Sequence, residues 1–165
     1  MRLKPWVLGI VIITFISLSA CQGGTLARSL SVEDALGRTV SFPTPPQKII
    51  IAGRANFMLN DAVYLFPDAP ERVLALTRST QAANAFVNLL DPEAEAKTRF
   101  MSDAAAEEIA AAQPDLVLLK SYMKDPLGDT LEQLGIPVVY LEFETPEQYE
   151  RDLATLGKLF GDANH

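Results

Sequence analysis

Cationic and aromatic side chains follow the apolar runs of this 165-residue chain. Guanidinium and ammonium groups pair with anions, and aromatic rings stack on flat organic groups, so these residue types offer binding chemistry. A helix predicted to begin near Asn56 adds free backbone N–H groups, which also attract an anion. The candidate ligand-binding residues are Arg54, Asn56, Arg78, Tyr122 and Lys124.

Catalytic chemistry has little support in the sequence. His165 is the single histidine and the last residue, so it cannot organise a catalytic triad or a histidine-rich metal site. The sequence contains no G-x-G-x-x-G run, no zinc spacing and no serine nucleophile elbow. Asp103 and Glu107 lie four residues apart, but carboxylates at a helix start are typical partners of the helix dipole. We therefore expect no catalytic residue, no resident metal and no cofactor.

The amino terminus is predicted to be a secretory signal. Arg2 and Lys4 precede an apolar segment over residues 6–16, which is too short for a permanent membrane-spanning helix. Leu18-Ser19-Ala20-Cys21 resembles the lipobox of bacterial lipoproteins, which implies cleavage before Cys21 and acylation of its thiol. The alternative is an ordinary cysteine behind a cleaved signal. The expected organisation is a signal peptide over residues 1–20, a lipidated tether over 21–28 and one folded domain over 29–165.

Charge and cysteine content restrict the class of partner. Removal of residues 1–20 takes away two basic groups and moves the formal net charge from −7 to −9. An acidic surface disfavours nucleic acid as a partner, and it disfavours anionic lipid bound by charge. A lone cysteine forms no internal disulfide, so the fold must depend on its hydrophobic core.

The pattern of apolar residues predicts a hairpin followed by an α/β layer. Residues 29–33 and 39–42 alternate as strands around the turn residues 34–38, and the prolines from position 43 onwards end the pairing. Four buried strands alternating with helices then predict an open parallel sheet with flanking helices, a Rossmann-like lobe preceded by a β-hairpin. The strands are predicted over residues 48–52, 72–76, 116–119 and 136–141, and the helices over 56–66, 80–90, 91–93, 104–112, 125–134 and 145–160.

The candidate residues fall where such a sheet binds its ligands. Open parallel sheets bind beyond the carboxyl ends of their strands, and the five candidates occupy the loops after the first three predicted strands. In the same group of loops, Phe143 is expected to offer a second ring for stacking, and Lys120 is expected to point into solvent.

Several segments together resemble one family of transport proteins. Asp34-Ala-Leu-Gly-Arg-Thr-Val40, followed by Phe42-Pro43 and the first strand, resembles the opening of the substrate-binding proteins of ABC importers for iron–siderophore, haem, cobalamin and related metal chelates. The segment from Glu107 to Val117 is similar to that family's E-x-I-x-x-L-x-P-D-L-V pattern, with Ala112 in place of the leucine. Leu134-Gly-Ile-Pro-Val-Val139 and Leu156-Gly-Lys-Leu-Phe-Gly161 match its next two landmarks in order.

The resemblance implies an extracytoplasmic receptor that captures an anionic metal complex, such as a ferric siderophore, haem or an oxyanion like molybdate. It also implies a two-lobed protein with the ligand in the cleft between the lobes. An exposed glutamate on each lobe docks onto the permease subunits, and by motif position the glutamate of this lobe is Glu107.

The family pattern continues beyond this chain. A connecting helix and a second lobe would follow residue 161, so we expect the amino-terminal lobe alone, with the second lobe absent. Two other functions stay open at this point. One is an adaptor or structural lipoprotein that binds no small molecule, and the other, favoured less, is an extracytoplasmic hydrolase on the same layout.

Overall fold

A computed structural model describes residues 29–78 and 85–161. The chain begins with an antiparallel hairpin of β1 (Leu30–Glu33) and β2 (Thr39–Phe42), in which Val32 pairs with Val40. Gly37 adopts a φ of +71° in the turn, a conformation that favours glycine. The hairpin predicted from the sequence is confirmed.

A five-stranded parallel sheet follows, in the order β5-β4-β3-β6-β7. Its central strands are continuous apolar runs, as expected for strands that are covered on both faces. The strands are β3 (Ile49–Ile51), β4 (Val73–Thr77), β5 (Thr98–Phe100), β6 (Leu116–Lys120) and β7 (Val138–Leu141).

Helices connect the strands and cover both faces of the sheet. Within residues 29–78 and 85–161 the α-helices are α1 (Phe57–Val63), α2 (Ala69–Arg72), α3 (Ala85–Leu90), α4 (Ala106–Ala111), α5 (Asp129–Gln133) and α6 (Pro146–Phe160). A 3₁₀ turn (Ser121–Met123) and a π-helical turn (Lys124–Gly128) join β6 to α5. None of the helices in these described ranges is long and apolar enough to cross a bilayer.

The structure differs from the sequence-based expectations in three places. It contains a fifth strand, β5, which the sequence did not reveal because Thr98 and Arg99 break any apolar run. An edge strand pairs on one side only, so it needs fewer apolar residues. Residues 91–93 form turns instead of a helical piece, and the helix predicted over 125–134 is divided between the π-helical turn and α5. Residues 79–84, the first part of another predicted helix, lie outside the described residues.

The sheet separates two hydrophobic clusters. One face of the sheet is covered by α1, the segment after it and α6. These segments contribute Leu59, Phe66 and Leu156, which pack on alternate residues of the strands. On the other face, Ile109 and Leu131 from α4 and α5 pack on the intervening strand residues. Burial of a large aliphatic side chain stabilises the fold by about 1.5–3 kcal/mol, so these two layers fix the sheet and the direction of its strands.

The hairpin turn is held against the edge strand β7 by hydrogen bonds from Ala35 N–H to the Tyr140 carbonyl and from Arg38 to the Val138 carbonyl. The buried carboxylate of Asp34 accepts hydrogen bonds from the Nε and Nη2 of Arg38 at 2.9 and 2.8 Å, and also from two backbone N–H groups. Arg38 donates to the carbonyl of Val138 at 3.1 Å and lies 4.4 Å from the ring centroid of Tyr140. The D-x-x-G-R segment is thus a structural clasp that covers the exposed edge of the sheet.

Candidate functional site

The turn after β3 brings the backbone unusually close to a neighbouring loop. Gly53 has a φ of +82°, and a Cβ atom placed on it would lie 3.0 Å from the Cγ of Met123. Ala55 has a φ of +51°, a left-handed conformation that is rare for a residue with a side chain. Strained residues of this kind are typical of ligand-binding loops. The turn directs Arg54 outward between them, where its side chain is exposed.

A small pocket of about 220 Å³ lies at this edge of the sheet. It is formed by the loops after β3, β5 and β6, which meet because the three strands end at the same edge. Arg54 and Tyr122 provide polar groups, and the thioether of Met123 provides part of the apolar wall. The other lining residues are Ser102, Asp103, Ala104, Pro126 and Leu127.

Tyr122 stands between positive and negative groups. Burial raises the pKa of its hydroxyl, the positive charge of Arg54 acts in the opposite direction, and Glu144 and Glu142 raise the pKa further. The ring is half exposed, so one face is available to a flat group. The phenol therefore stays protonated at neutral pH and can donate a hydrogen bond to a ligand.

At this edge, the two arginines have no ion-pair partner among the described residues, whereas the two lysines do. The guanidinium groups of Arg54 and Arg78 are exposed, and neither has a hydrogen bond or ion pair with a described residue. By contrast, Lys124 pairs with Asp129, and the buried Lys120 pairs with Glu144 and the carbonyl of Glu142. The expectation that Lys120 points into solvent is wrong, because its ammonium ties the β6 and β7 loops together.

Asn56 and Phe143 are buried side chains. Asn56 is 2% exposed, and its Nδ2 has no hydrogen-bond partner in the structure. It precedes α1 without capping it through the side chain. Phe143 is 1% exposed and makes an edge-to-face contact with Tyr149 at a centroid distance of 5.3 Å. Phe143 therefore belongs to the core and offers no ring to a ligand, contrary to the expectation from the sequence.

A carboxylate on α6 holds the loop after β7 in place. Asp152 is fully buried and accepts hydrogen bonds from the backbone N–H groups of Glu142 at 2.6 Å and Phe143 at 3.1 Å. Phe143 has a φ of +58°, so the loop turns sharply before the capping box of Thr145 and Gln148 begins α6. Asp152 thereby positions Glu142 and Glu144 beside Tyr122.

Sequence reasoning identified two residues of the pocket and missed the others. Arg54 and Tyr122 were found because each follows an apolar run. Ser102 and Asp103 were missed because they follow β5, a strand without an apolar signal. Arg78 and Lys124 lie at the same edge but do not line this pocket.

Glu107, the predicted docking residue, lies on the surface at the start of α4. It occupies the first turn of α4 and its side chain is exposed, and the helix begins directly after the pocket residues Ser102 to Ala104. Cys21 lies outside the described residues. No group of three or more histidine, cysteine or acidic side chains within residues 29–78 and 85–161 is arranged to hold a metal ion.

No protein-family model matches the sequence, and no curated protein matches it either. Solved structures do match. The TroA-like periplasmic binding protein FepB of Veillonella parvula superposes with a TM-score of 0.65 at 18% identity, over 81% of this chain and 43% of that one. CeuE of Helicobacter pylori gives 0.64 at 19% identity, over 81% and 43%. The iron uptake ABC transporter substrate-binding protein PiuA of Streptococcus pneumoniae gives 0.59 at 17% identity, over 81% and 45%.

The comparisons therefore show the fold: the chain has the α/β architecture of a lobe of the TroA-like periplasmic binding proteins. The chain spans less than half the length of these proteins. The family resemblance read from the sequence is confirmed at the level of the fold.

The role of Asp152 leads to a testable expectation. In Asp152→Ala, the N–H groups of Glu142 and Phe143 lose their acceptor, so we expect the unfolding free energy to fall by about 2–3 kcal/mol. We also expect these two amides to exchange with solvent at least about tenfold faster, which corresponds to about 1.4 kcal/mol of local stability. Urea denaturation and NMR-detected hydrogen exchange measure the two effects.

Arg151→Ala is the matched control for Asp152→Ala. Arg151 contacts the other oxygen of the same carboxylate, so its removal leaves both backbone hydrogen bonds intact. Unchanged exchange of the two amides in Asp152→Ala would show that the loop does not depend on this carboxylate.

Proposed function

We propose that this chain is a ligand-binding lobe of an extracytoplasmic solute-binding protein that serves an ABC importer. The observation that carries the proposal is the pocket at the carboxyl edge of the sheet, in which the guanidinium of Arg54 is exposed and unpaired among the described residues. The neighbours in structure, which are substrate-binding transport proteins, support the same class. Such a protein captures its ligand and releases it chemically unchanged.

The proposed ligand is a metal complex with an anionic group that faces Arg54. Ferric siderophores, haem and oxyanions such as molybdate all offer negatively charged oxygen atoms, and a guanidinium binds such oxygens in a charge-assisted, bidentate manner. Tyr122 adds a hydrogen-bond donor and a ring surface for an organic chelator. The similarity in fold to PiuA, an iron uptake ABC transporter substrate-binding protein, supports a cargo of this kind.

A second lobe is proposed to complete the binding cleft. The pocket of about 220 Å³ is smaller than the roughly 300–1,000 Å³ of typical small-molecule sites, so it holds part of a chelate and not the whole. The neighbours in structure are more than twice as long as the part of them that this chain matches. A facing lobe would supply the missing contacts and exclude water from the ligand.

Removal of the free guanidinium tests the ligand assignment. We expect Arg54→Gln to weaken binding by about ten- to a hundredfold, because a hydrogen bond to a charged group contributes about 1.5–3 kcal/mol. Isothermal titration calorimetry of the full-length gene product measures this effect. The probes are ferric catecholate, hydroxamate and citrate complexes, haem and molybdate.

Lys48→Gln is the matched control, since Lys48 is an exposed cation before β3, at the opposite edge of the sheet. Equal affinities of the wild type and Arg54→Gln would reject the anionic ligand. Absence of binding by every probe would favour an adaptor lipoprotein instead.

Delivery to the permease is proposed to use Glu107. Glu107 is exposed and lies in the first turn of α4, three residues after Ala104 of the pocket lining, so we expect a permease surface that covers the cleft to meet it. In proteoliposomes that contain the permease, we expect Glu107→Lys to lower transport at least about tenfold, because the reversed charge repels its partner. Glu108→Lys, at the next exposed position, serves as the control, and ligand affinity is expected to stay unchanged in both variants. Normal transport by Glu107→Lys would exclude this docking role.

The membrane anchor is proposed to be a lipid on Cys21. A single acyl chain gives marginal membrane binding and two chains give stable anchoring, so the modified cysteine would retain the protein outside the cytoplasmic membrane. We expect Cys21→Ser to move the protein from the membrane fraction to the soluble extracytoplasmic fraction, with unchanged ligand affinity. Mass spectrometry of the wild type is expected to find the acyl chains on residue 21, and an unmodified cysteine there would disprove the anchor.

A further inference from the structure

Positive and negative groups are balanced along the described part of the carboxyl edge. The cations there are Arg54, Arg78, Lys120 and Lys124. The carboxylates in the same loops are Asp103, Asp125, Glu142 and Glu144. Because the charges cancel, this edge has no general attraction for anions, and recognition must come from the local arrangement of individual groups.

Within the pocket, one positive and one negative group are left unpaired. Arg54 and Asp103 both line it, and neither forms a hydrogen bond or ion pair with a described residue. A ligand group with only negative charge would pair with Arg54 but would be repelled by Asp103. A group that carries both charges would satisfy the two side chains together.

We propose that this pocket recognises a zwitterionic group, with an anionic oxygen paired to Arg54 and an ammonium paired to Asp103. This inference deepens the proposed function, because it assigns the chemical class of the ligand part that enters this lobe. Asp103 is then a specificity-determining residue: among the metal complexes of the proposed function, it favours those whose anionic group is accompanied by an ammonium.

The remaining walls of the pocket suit the same kind of group. Met123, Pro126 and Leu127 provide an apolar surface for a small carbon scaffold that joins the two charges. Tyr122 can donate a hydrogen bond to the anionic end, while Glu142 and Glu144 add negative charge beyond its hydroxyl. The volume of about 220 Å³ limits the group to a small substituent of a larger ligand.

The test uses three small probes built on one benzene ring: 4-(aminomethyl)benzoate carries both charges, benzoate only the negative one and benzylamine only the positive one. NMR titration of the full-length gene product at pH 7, followed through the Tyr122 and Met123 signals, gives the dissociation constants. The zwitterion is expected to bind at least about tenfold more tightly than either half, because it gains one more charge-assisted hydrogen bond.

Variants of the two charged residues separate their contributions. Asp103→Asn is expected to weaken binding of the zwitterion and to strengthen binding of benzoate, because the ammonium loses its partner and the carboxylate of benzoate is no longer repelled. Arg54→Gln is expected to reduce the affinity for the zwitterion to the affinity for benzylamine. Asp125→Asn removes a carboxylate at the same edge but outside the pocket, so it should change none of the three.

Two outcomes would overturn the inference. The first is that benzoate binds as tightly as the zwitterion, which would mean that the pocket accepts a simple anion. The second is that none of the three probes binds. In either case the proposed function survives if the metal complexes bind with dependence on Arg54, and it fails separately if they do not.

Discussion

The parallel direction of the five strands is the constraint on which the candidate site depends. Parallel pairing places the carboxyl ends of β3, β5 and β6 at one edge, so residues far apart in sequence, such as Arg54, Asp103 and Tyr122, line one pocket. Parallel strands need helices on both faces, and the two hydrophobic clusters show that this requirement is met. The core and the site are therefore consequences of the same geometry.

Buried polar contacts hold the hairpin and the loop after β7 in place on the sheet. The Asp34–Arg38 pair closes the free edge at β7, while Asp152 and Lys120 hold the loop that follows the same strand. These groups lie behind the binding surface and fix the positions of side chains that a ligand would meet. The cost of burying such charges is offset only where every hydrogen bond is made, and this limits how far the loops can move.

The distribution of charge at the carboxyl edge favours a different ligand from the simple anion that the sequence predicts. Cationic residues suggest an anion when they are read from the sequence, but the folded chain neutralises Lys120 and Lys124 with carboxylates and places Arg54 and Asp103 in the lining of one pocket. Affinity at such an edge comes from individual pairings, because the general field is small.

The sequence by itself determined the hairpin, the four apolar strands, the alternation of strands with helices and the capped helix α6. These features depend on local patterns: period-two alternation, apolar runs and the residues that begin or end helices. Only the tertiary structure decided that β5 joins the sheet, that Phe143 and Lys120 are buried and that Asp103 and Arg54 line one pocket. The physical reason is that an edge strand, a buried cation and a pocket are defined by contacts between segments distant in the chain, which leave no periodic signal in any one of them.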